Sequence, residues 1–130
     1  MKIQKFEDII AWQKAQDLSV LVYKTFEPSR DFGFKDQVQR ASVSISNNIA
    51  EGFDRMSDKE FVRFLYIALA SCSEVKSMIY LSERLGYVNK EQTLSFLEKS
   101  NEISKIIRGL IKSLSPDDHF STTKRLTTND

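Results

Sequence analysis

The feature that most constrains the fold is a regular apolar repeat in the middle of the chain. Apolar side chains recur there at alternating steps of four and three residues: Phe61, Leu65, Ala68, Cys72, Val75 and Ile79. This spacing forms a heptad seam along one face of an α-helix. Ser57 and Glu60 have the spacing of a capping box before the seam, and Gly86 is suited to end the helix in the left-handed conformation. We therefore predict a long helix between Ser57 and Leu85 that packs against other helices.

Two more segments carry the same helical spacing. The first runs from about Glu7 or Asp8, which we place in a first turn where acidic groups complement the helix dipole, to Phe26. Its apolar face is Trp12, Ala15, Leu18 or Ser19, Val22 and Phe26. The last follows a second capping box, Asn89 with Gln92. Its seam is Phe96, Ser100, Ile103, Ile107, Leu110 and Leu114.

The segment from Phe34 to about Phe53 gives two conflicting signals. Residues 41–46 alternate with period two, which is typical of a strand. The wider window follows helical spacing through Phe34, Val38, Ala41, Ile45, Asn48 or Ile49, and Gly52. An isolated strand would also lack a partner, because no other run alternates. We predict a helix whose small side chains allow close approach of a neighbour, after a break bracketed by Pro28 and Gly33.

Short connections between these segments determine how the helices pack. Successive helices joined by a few residues become antiparallel neighbours, so we predict an all-α, up-down-up-down four-helix bundle in residues 1–115. The low content of glycine (four) and proline (two) also favours long helices. Residues 116–130 are polar and lack periodicity, and we expect a mobile tail there.

Charge and cysteine content limit the classes of function. The chain has 19 Lys and Arg against 18 Asp and Glu, a net charge of +1, which is no global footprint for nucleic acid. Cys72 is the only cysteine, so no intrachain disulfide can form and a cytoplasmic location is expected. Residues 1–14 lack the apolar core of a signal peptide. The apolar run at residues 61–70 contains Arg63 and is too short to span a bilayer, so no membrane partner is expected.

The third helix carries more apolar residues than one packed face needs. Apolar side chains cover more than one face of its first half: Phe61, Phe64, Leu65, Ile67, Ala68 and Leu69. A monomeric bundle needs about three apolar positions per heptad. The surplus predicts a second buried face, and self-association would supply it.

Basic side chains near the turn between the second and third helices suggest a binding patch. They are Arg40, Arg55, Lys59 and Arg63. Such groups bind phosphate, and Phe53 could stack on a base, so RNA or a nucleoprotein is one candidate partner. The alternative is ion pairing, between subunits or within a helix, with nearby acids, which are Glu51, Asp54, Asp58 and Glu60.

Four polar residues lie on or beside the apolar stripes: Ser44, Asn48, Glu51 and Glu74. Buried polar groups are costly unless paired, so we expect hydrogen bonds between helices that fix their register. Arg40 or Arg63 would be the natural partner of Glu51 or Glu74. Trp12 is either an interface anchor or a core residue.

No pattern predicts a catalytic, cofactor or metal site. A di-metal bundle needs Glu-x-x-His pairs, whereas the only histidine is His119 in the tail. Cys72 falls on the seam without an accompanying histidine, so a buried, inert thiol is expected. We therefore predict that the protein is not an enzyme and needs no cofactor.

Five segments resemble a known bacterial family: FEDIIAWQKA (6–15), QRASVSI (39–45), NIAEG (48–52), EFVRFLYIA (60–68) and LGY (85–87). Together they are similar to the S23 ribosomal protein, or 23S rRNA intervening-sequence protein, family. The chain departs from the family pattern at Ser46, where proline is usual, and at Ala70, where glycine is frequent.

The resemblance implies an antiparallel four-helix bundle that assembles into ring-shaped homopentamers and is not an enzyme. Some members are encoded within sequences that interrupt 23S rRNA genes, and a similar protein serves retroelements as a partner of a reverse transcriptase and RNA. Our first hypothesis is a homo-oligomeric scaffold that binds RNA or a nucleoprotein. The alternative is a protein–protein interaction module with no role in nucleic-acid binding.

Overall fold

The computed structural model describes residues 3–115, which form one four-helix bundle. The helices are α1 (Ile10–Phe26), α2 (Phe32–Phe53), α3 (Asp58–Arg84) and α4 (Lys90–Leu114), and a short 3₁₀ helix (Phe6–Asp8) precedes α1. No strand occurs among these residues. The predicted tail at residues 116–130 lies outside the described part of the chain.

Contacts between helix ends establish the antiparallel order. Phe26 at the end of α1 packs against Phe34 near the start of α2, with ring centroids 5.8 Å apart, and against Phe96 near the start of α4, at 6.3 Å. Phe53 at the end of α2 lies edge-on to Phe61 at the start of α3, at 5.8 Å. Each contact joins the end of one helix to the start of its neighbour, so the chain runs up-down-up-down, as predicted.

The core lies along the predicted seams. All six seam residues of α3 are buried: Phe61, Leu65, Ala68, Cys72, Val75 and Ile79. In α2, Ala41, Ile45 and Ile49 are buried, which confirms the helix in the segment with conflicting signals. Burying one such large apolar side chain is worth about 1.5–3 kcal/mol, so these faces hold the bundle together.

The turn between α3 and α4 has the glycine ending of α3 and the cap of α4 that the sequence predicts. Gly86 has a φ of 78°, and the amides of Gly86 and Tyr87 donate to the carbonyls of Glu83 (3.0 Å) and Ser82 (2.8 Å), which is a Schellman ending. Asn89 then begins α4 with both bonds of a capping box. At the start of α3, one bond of the predicted capping box forms, in which Ser57 Oγ accepts from the amide of Glu60 at 3.2 Å.

The start of α1 differs from the prediction. The helix begins at Ile10, and Glu7 and Asp8 belong to the 3₁₀ helix rather than to its first turn. Ile9 is extended and almost fully buried, so the chain bends there to insert this side chain into the core. The ring of Phe6 packs edge-on against Trp12, at 5.3 Å, and holds the 3₁₀ helix against α1.

The start of α2 also differs, because Asp31 caps it. The carboxylate Oδ1 of Asp31 accepts from the amide of Phe34 at 3.2 Å, and the helix begins at Phe32. Gly33 therefore lies in the first turn of α2 instead of marking the end of the break.

Helix α3 is long and apolar enough to cross a membrane, judged by length and composition alone. The apolar stretch is thus longer than residues 61–70 suggested. The core helix of a water-soluble bundle meets the same criterion, and 44% of the residues in the apolar window are buried inside the bundle. That the protein does not enter a membrane stays a prediction.

The side chain of Tyr87 links two connections between helices at one end of the bundle. Its hydroxyl donates to Asp31 Oδ2 at 2.7 Å, which links the start of α2 to the turn after α3. The hydrogen bond from Tyr87 and the one from the Phe34 amide both lower the pKa of Asp31. The hydrogen bond to Asp31 raises the pKa of Tyr87. The contribution of Asp31 to stability is therefore present above its unfolded pKa and lost as pH falls through its lower folded pKa. The contribution of Tyr87 to stability is present below its unfolded pKa and is lost as pH rises through its raised folded pKa.

We predict that Tyr87→Phe raises the pKa of Asp31 towards the ordinary carboxyl value, because the stronger of its two donors is removed. NMR titration of the Asp31 side chain measures this directly. Tyr80→Phe removes a hydroxyl on α3 that does not contact Asp31 and should leave the titration unchanged. An unaltered Asp31 titration in Tyr87→Phe would mean that the bond does not persist in solution.

Candidate functional site

Three of the four predicted basic residues gather at the α2–α3 turn. Arg55, Lys59 and Arg63, with the ring of Phe64, form what we call the turn cluster. The guanidinium carbon of Arg55 lies 4.7 Å from the centroid of the Phe64 ring, and that of Arg63 lies 5.9 Å away. Such cation–π contacts are worth about 0.5–1 kcal/mol at exposed sites, so they orient the arginines more than they stabilise the fold.

Arg40 does not belong to the turn cluster. It lies 13 residues before the end of α2, which corresponds to about 20 Å along the helix. Its Nε donates to Asp36 Oδ2 at 2.9 Å, one turn earlier on the same exposed face. The sequence analysis grouped Arg40 with the other basic residues because of its charge, but the length of α2 separates Arg40 from the turn.

The predicted ion pairs around the turn are absent from residues 3–115. The pairs within 4.0 Å in this part of the chain are Arg40–Asp36 and Lys14–Glu102. Within one chain the turn cluster therefore forms none of the pairs expected with Glu51, Asp54, Asp58 and Glu60, and pairing between subunits stays a prediction. The predicted pairing of Arg40 or Arg63 with Glu51 or Glu74 is also wrong. Both glutamates are exposed, so neither needs a compensating charge.

Gly52 sets the spacing beneath the turn cluster. A Cβ atom at this buried position would lie 2.6 Å from Cβ of Phe64 and 3.0 Å from a ring carbon of Phe61. Both distances are shorter than van der Waals contact permits. Only glycine lets the end of α2 approach α3 closely enough for Phe64 to lie beneath Arg55.

Polar bonds join α2 and α3 further along. The hydroxyls of Ser44 and Ser71 are 2.8 Å apart and link the two helices. Asn48 Nδ2 donates to Ser44 Oγ at 2.9 Å and to the Ser44 carbonyl at 2.8 Å, so Asn48 bonds within α2 and not between helices as expected. Gln37 Nε2 donates to Glu74 at 3.4 Å. Sequence reasoning singled out Ser44, Asn48 and Glu74 but missed Ser71, which adjoins the seam residue Cys72 and is buried.

The outer face of α3 is an exposed surface with almost no charge. It consists of Tyr66, Ile67, Ala70, Ser73, Ser77, Tyr80 and Leu81, which we call the α3 ridge. Tyr80 is 54% exposed and Leu81 is 46% exposed. Among the exposed residues from 64 to 83, Glu74 alone is charged. The apolar surplus predicted from the sequence is thus partly buried and partly presented to the outside, with Phe64 and Leu69 half-buried and Ile67 exposed.

A shallow groove of about 340 Å³ lies between α1 and α2. We call it the α1–α2 groove, and it is lined by Gln16, Ser19, Val20, Tyr23, Lys24, Val43 and Ser46. Gln16 Nε2 donates to Ser46 Oγ across it at 3.1 Å, and Val20 and Tyr23 are 53% and 43% exposed. Sequence reasoning did not find this groove, because its two walls belong to different helices.

The chemistry of Cys72 matches the prediction. The thiol is buried, and that burial raises its pKa to about 11, so it stays protonated at neutral pH. Residues 3–115 contain no group of three or more His, Cys, Asp or Glu that could hold a metal ion. Trp12 is half-buried, with its ring against Phe6.

Comparison with known proteins assigns the chain to a family. The sequence profile of the 23S rRNA-intervening sequence protein family matches residues 7–109, and the chain belongs to this family. The fold is similar to the crystal structure of a protein of unknown function from the S23 ribosomal protein family of Bacteroides thetaiotaomicron, solved at 1.70 Å. The TM-score is 0.74 and the identity 29%, covering 79% of this chain and 99% of that one. No curated protein matches the chain at a significant level.

We predict that Gly52→Ala lowers the free energy of unfolding by about 1–3 kcal/mol, because the added methyl group forces α2 and α3 apart. Gly109→Ala is the matched control, since no atom lies within 4 Å of a Cβ at that position in α4. It should raise stability by about 0.5–1 kcal/mol through helix propensity. Urea denaturation followed by circular dichroism measures both, and equal effects of the two changes would contradict the close contact at Gly52.

Proposed function

We propose that the protein is a non-enzymatic scaffold that assembles from several copies of itself in the cytoplasm. The exposed α3 ridge is the main observation that supports this proposal. Its tyrosine and aliphatic side chains are exposed over four turns of helix with one charge among them. Interface cores are enriched in such aromatic residues and depleted of charge.

Other features of the chain agree with a scaffold. The thiol of Cys72 is buried and protonated, so it is not available as a nucleophile. Ser44 and Asn48, two of the polar residues that sequence reasoning singled out in α2, form hydrogen bonds between helices or within α2 and are thereby engaged in packing. The family resemblance implies a homopentamer, which adds a specific copy number to the proposal.

The assembly can be tested by light scattering after size-exclusion chromatography. We expect the wild-type protein to have several times the 15.0 kDa mass of one chain. Ala70→Glu adds a charge in the middle of the α3 ridge, on a side chain that already faces outward, and should give a folded monomer. A wild-type mass of one chain would contradict the proposal.

The control for this change is Leu94→Glu. Leu94 is 59% exposed on α4, outside the α3 ridge, and its substitution adds the same charge. It should leave the assembled mass unchanged. Circular dichroism of both variants separates loss of assembly from loss of the fold.

A second function, RNA binding at the turn cluster, is favoured by one observation. Arg55 and Arg63 lie over the Phe64 ring and make no ion pair within residues 3–115. Guanidinium groups held in this way can bind phosphates, and aromatic rings can stack on unpaired bases. The alternative is a protein–protein interaction module that binds no nucleic acid.

A gel-shift titration with structured RNA at several salt concentrations distinguishes these functions. We expect wild-type binding that weakens with salt, and the double change Arg55→Gln with Arg63→Gln should reduce the salt dependence by about 0.7–0.9 in log–log slope for each phosphate that the variant no longer binds. Arg40→Gln is the control, because Arg40 is paired with Asp36 far from the turn. Absence of binding by the wild-type protein would favour the protein–protein module.

A further inference from the structure

We infer that the α3 ridge of one copy docks into the α1–α2 groove of a second copy, so that the interface joins two different surfaces of the chain. This inference rests on the self-association proposed above and specifies which surfaces meet. The first argument is shape. The ridge is the convex face of one helix, and the groove is a concavity between two helices.

The side chains suit this form of packing. Ala70, Ser73 and Ser77 are small, so the backbone of α3 can approach closely along the middle of the ridge. Two tyrosines, Tyr66 and Tyr80, flank this flat stretch. A helix that enters the groove between two others follows the usual packing of ridges into grooves.

Charge favours the pairing of unlike surfaces over the pairing of like ones. Glu74 lies at the middle of the α3 ridge, and Lys24 lies on the wall of the α1–α2 groove. Two ridges related by a twofold axis through their centres would bring two copies of Glu74 together, and like charges in an interface are unfavourable. Docking of ridge into groove instead allows Glu74 to approach Lys24 of the next copy.

One copy can use both surfaces at once. The helices that pack as neighbours are α1 with α2, α2 with α3, α3 with α4, and α1 with α4, so α3 lies diagonally across the bundle from α1. The ridge points away from α1, and the groove opens on a different side. Each copy can therefore bind one neighbour through its ridge and another through its groove, which is the arrangement that generates rings.

The decisive experiment mixes two variants, Ala70→Glu in the ridge and Val20→Glu in the groove. Val20 is exposed, so the added carboxylate does not enter the core. Each variant alone should be a folded monomer. A mixture retains one intact pair of surfaces, namely the groove of the first variant and the ridge of the second, and should give a 1:1 heterodimer that grows no further.

The outcomes separate this inference from the proposed self-association. Wild-type protein that remains monomeric overturns both. Wild-type protein that assembles, with Val20→Glu assembling equally well, overturns only the use of the groove. Two monomeric variants that fail to form a heterodimer on mixing also overturn it. Leu94→Glu controls for the added charge and should assemble as the wild type does.

A charge exchange tests the contact between Glu74 and Lys24. Glu74→Lys and Lys24→Glu should each weaken assembly about fivefold, because each places like charges together. The double variant should return to within about twofold of the wild type, since the pair is restored in reverse. Effects of the two single changes that simply add in the double variant would contradict the contact.

Discussion

The close approach of α2 and α3 is the constraint on which the surfaces of this bundle depend. At one end, Gly52 allows the backbone of α2 to lie against Phe64. In the middle, Ser44 and Ser71 bring their hydroxyls to 2.8 Å across the same interface. Small residues on both helices make the approach possible, and the buried seam of α3 fixes its rotation. Because that rotation is fixed, the opposite face of α3 must face outward, and Phe64 must lie beneath the arginines of the turn.

Local spacing predicted the helices well, because seams, caps and C-terminal glycines act over one or two turns. The predicted helix starts were wrong where contacts with other parts of the fold determine where a helix begins. Ile9 is drawn into the core and delays the start of α1, whereas Asp31 caps α2 earlier than its apolar pattern suggested. The ion pairs expected within one chain do not form, for a related reason. Exposed charges gain little from pairing, so proximity in sequence does not bring them together.

The candidate surfaces were predictable to different degrees. The apolar surplus of α3 is a property of one helix, and the sequence therefore indicated a second face to be covered. The turn cluster required knowledge of helix length, which excluded Arg40 and kept Arg55 with Arg63. The α1–α2 groove could not be read from any single periodicity, because Val20 and Val43 become neighbours only when the two helices pack.

The arrangement of these surfaces also bears on how a nearly neutral chain could bind an anionic partner. The ridge and the groove run along the sides of the bundle, whereas the turn cluster lies at one end of it. Copies related by a cyclic axis all point the same way along that axis. Side-by-side docking would therefore place every turn cluster on one rim, so that a long polyanion could contact Arg55 and Arg63 of several copies at once. The acids Glu51, Asp54, Asp58 and Glu60 lie at the same turn, so the gain comes from the number of contacts and not from a net positive charge of the rim. If the turn cluster binds RNA as proposed, a monomeric variant such as Ala70→Glu should therefore lose affinity for RNA even with every arginine of the turn cluster in place, which a gel-shift titration of the variant measures.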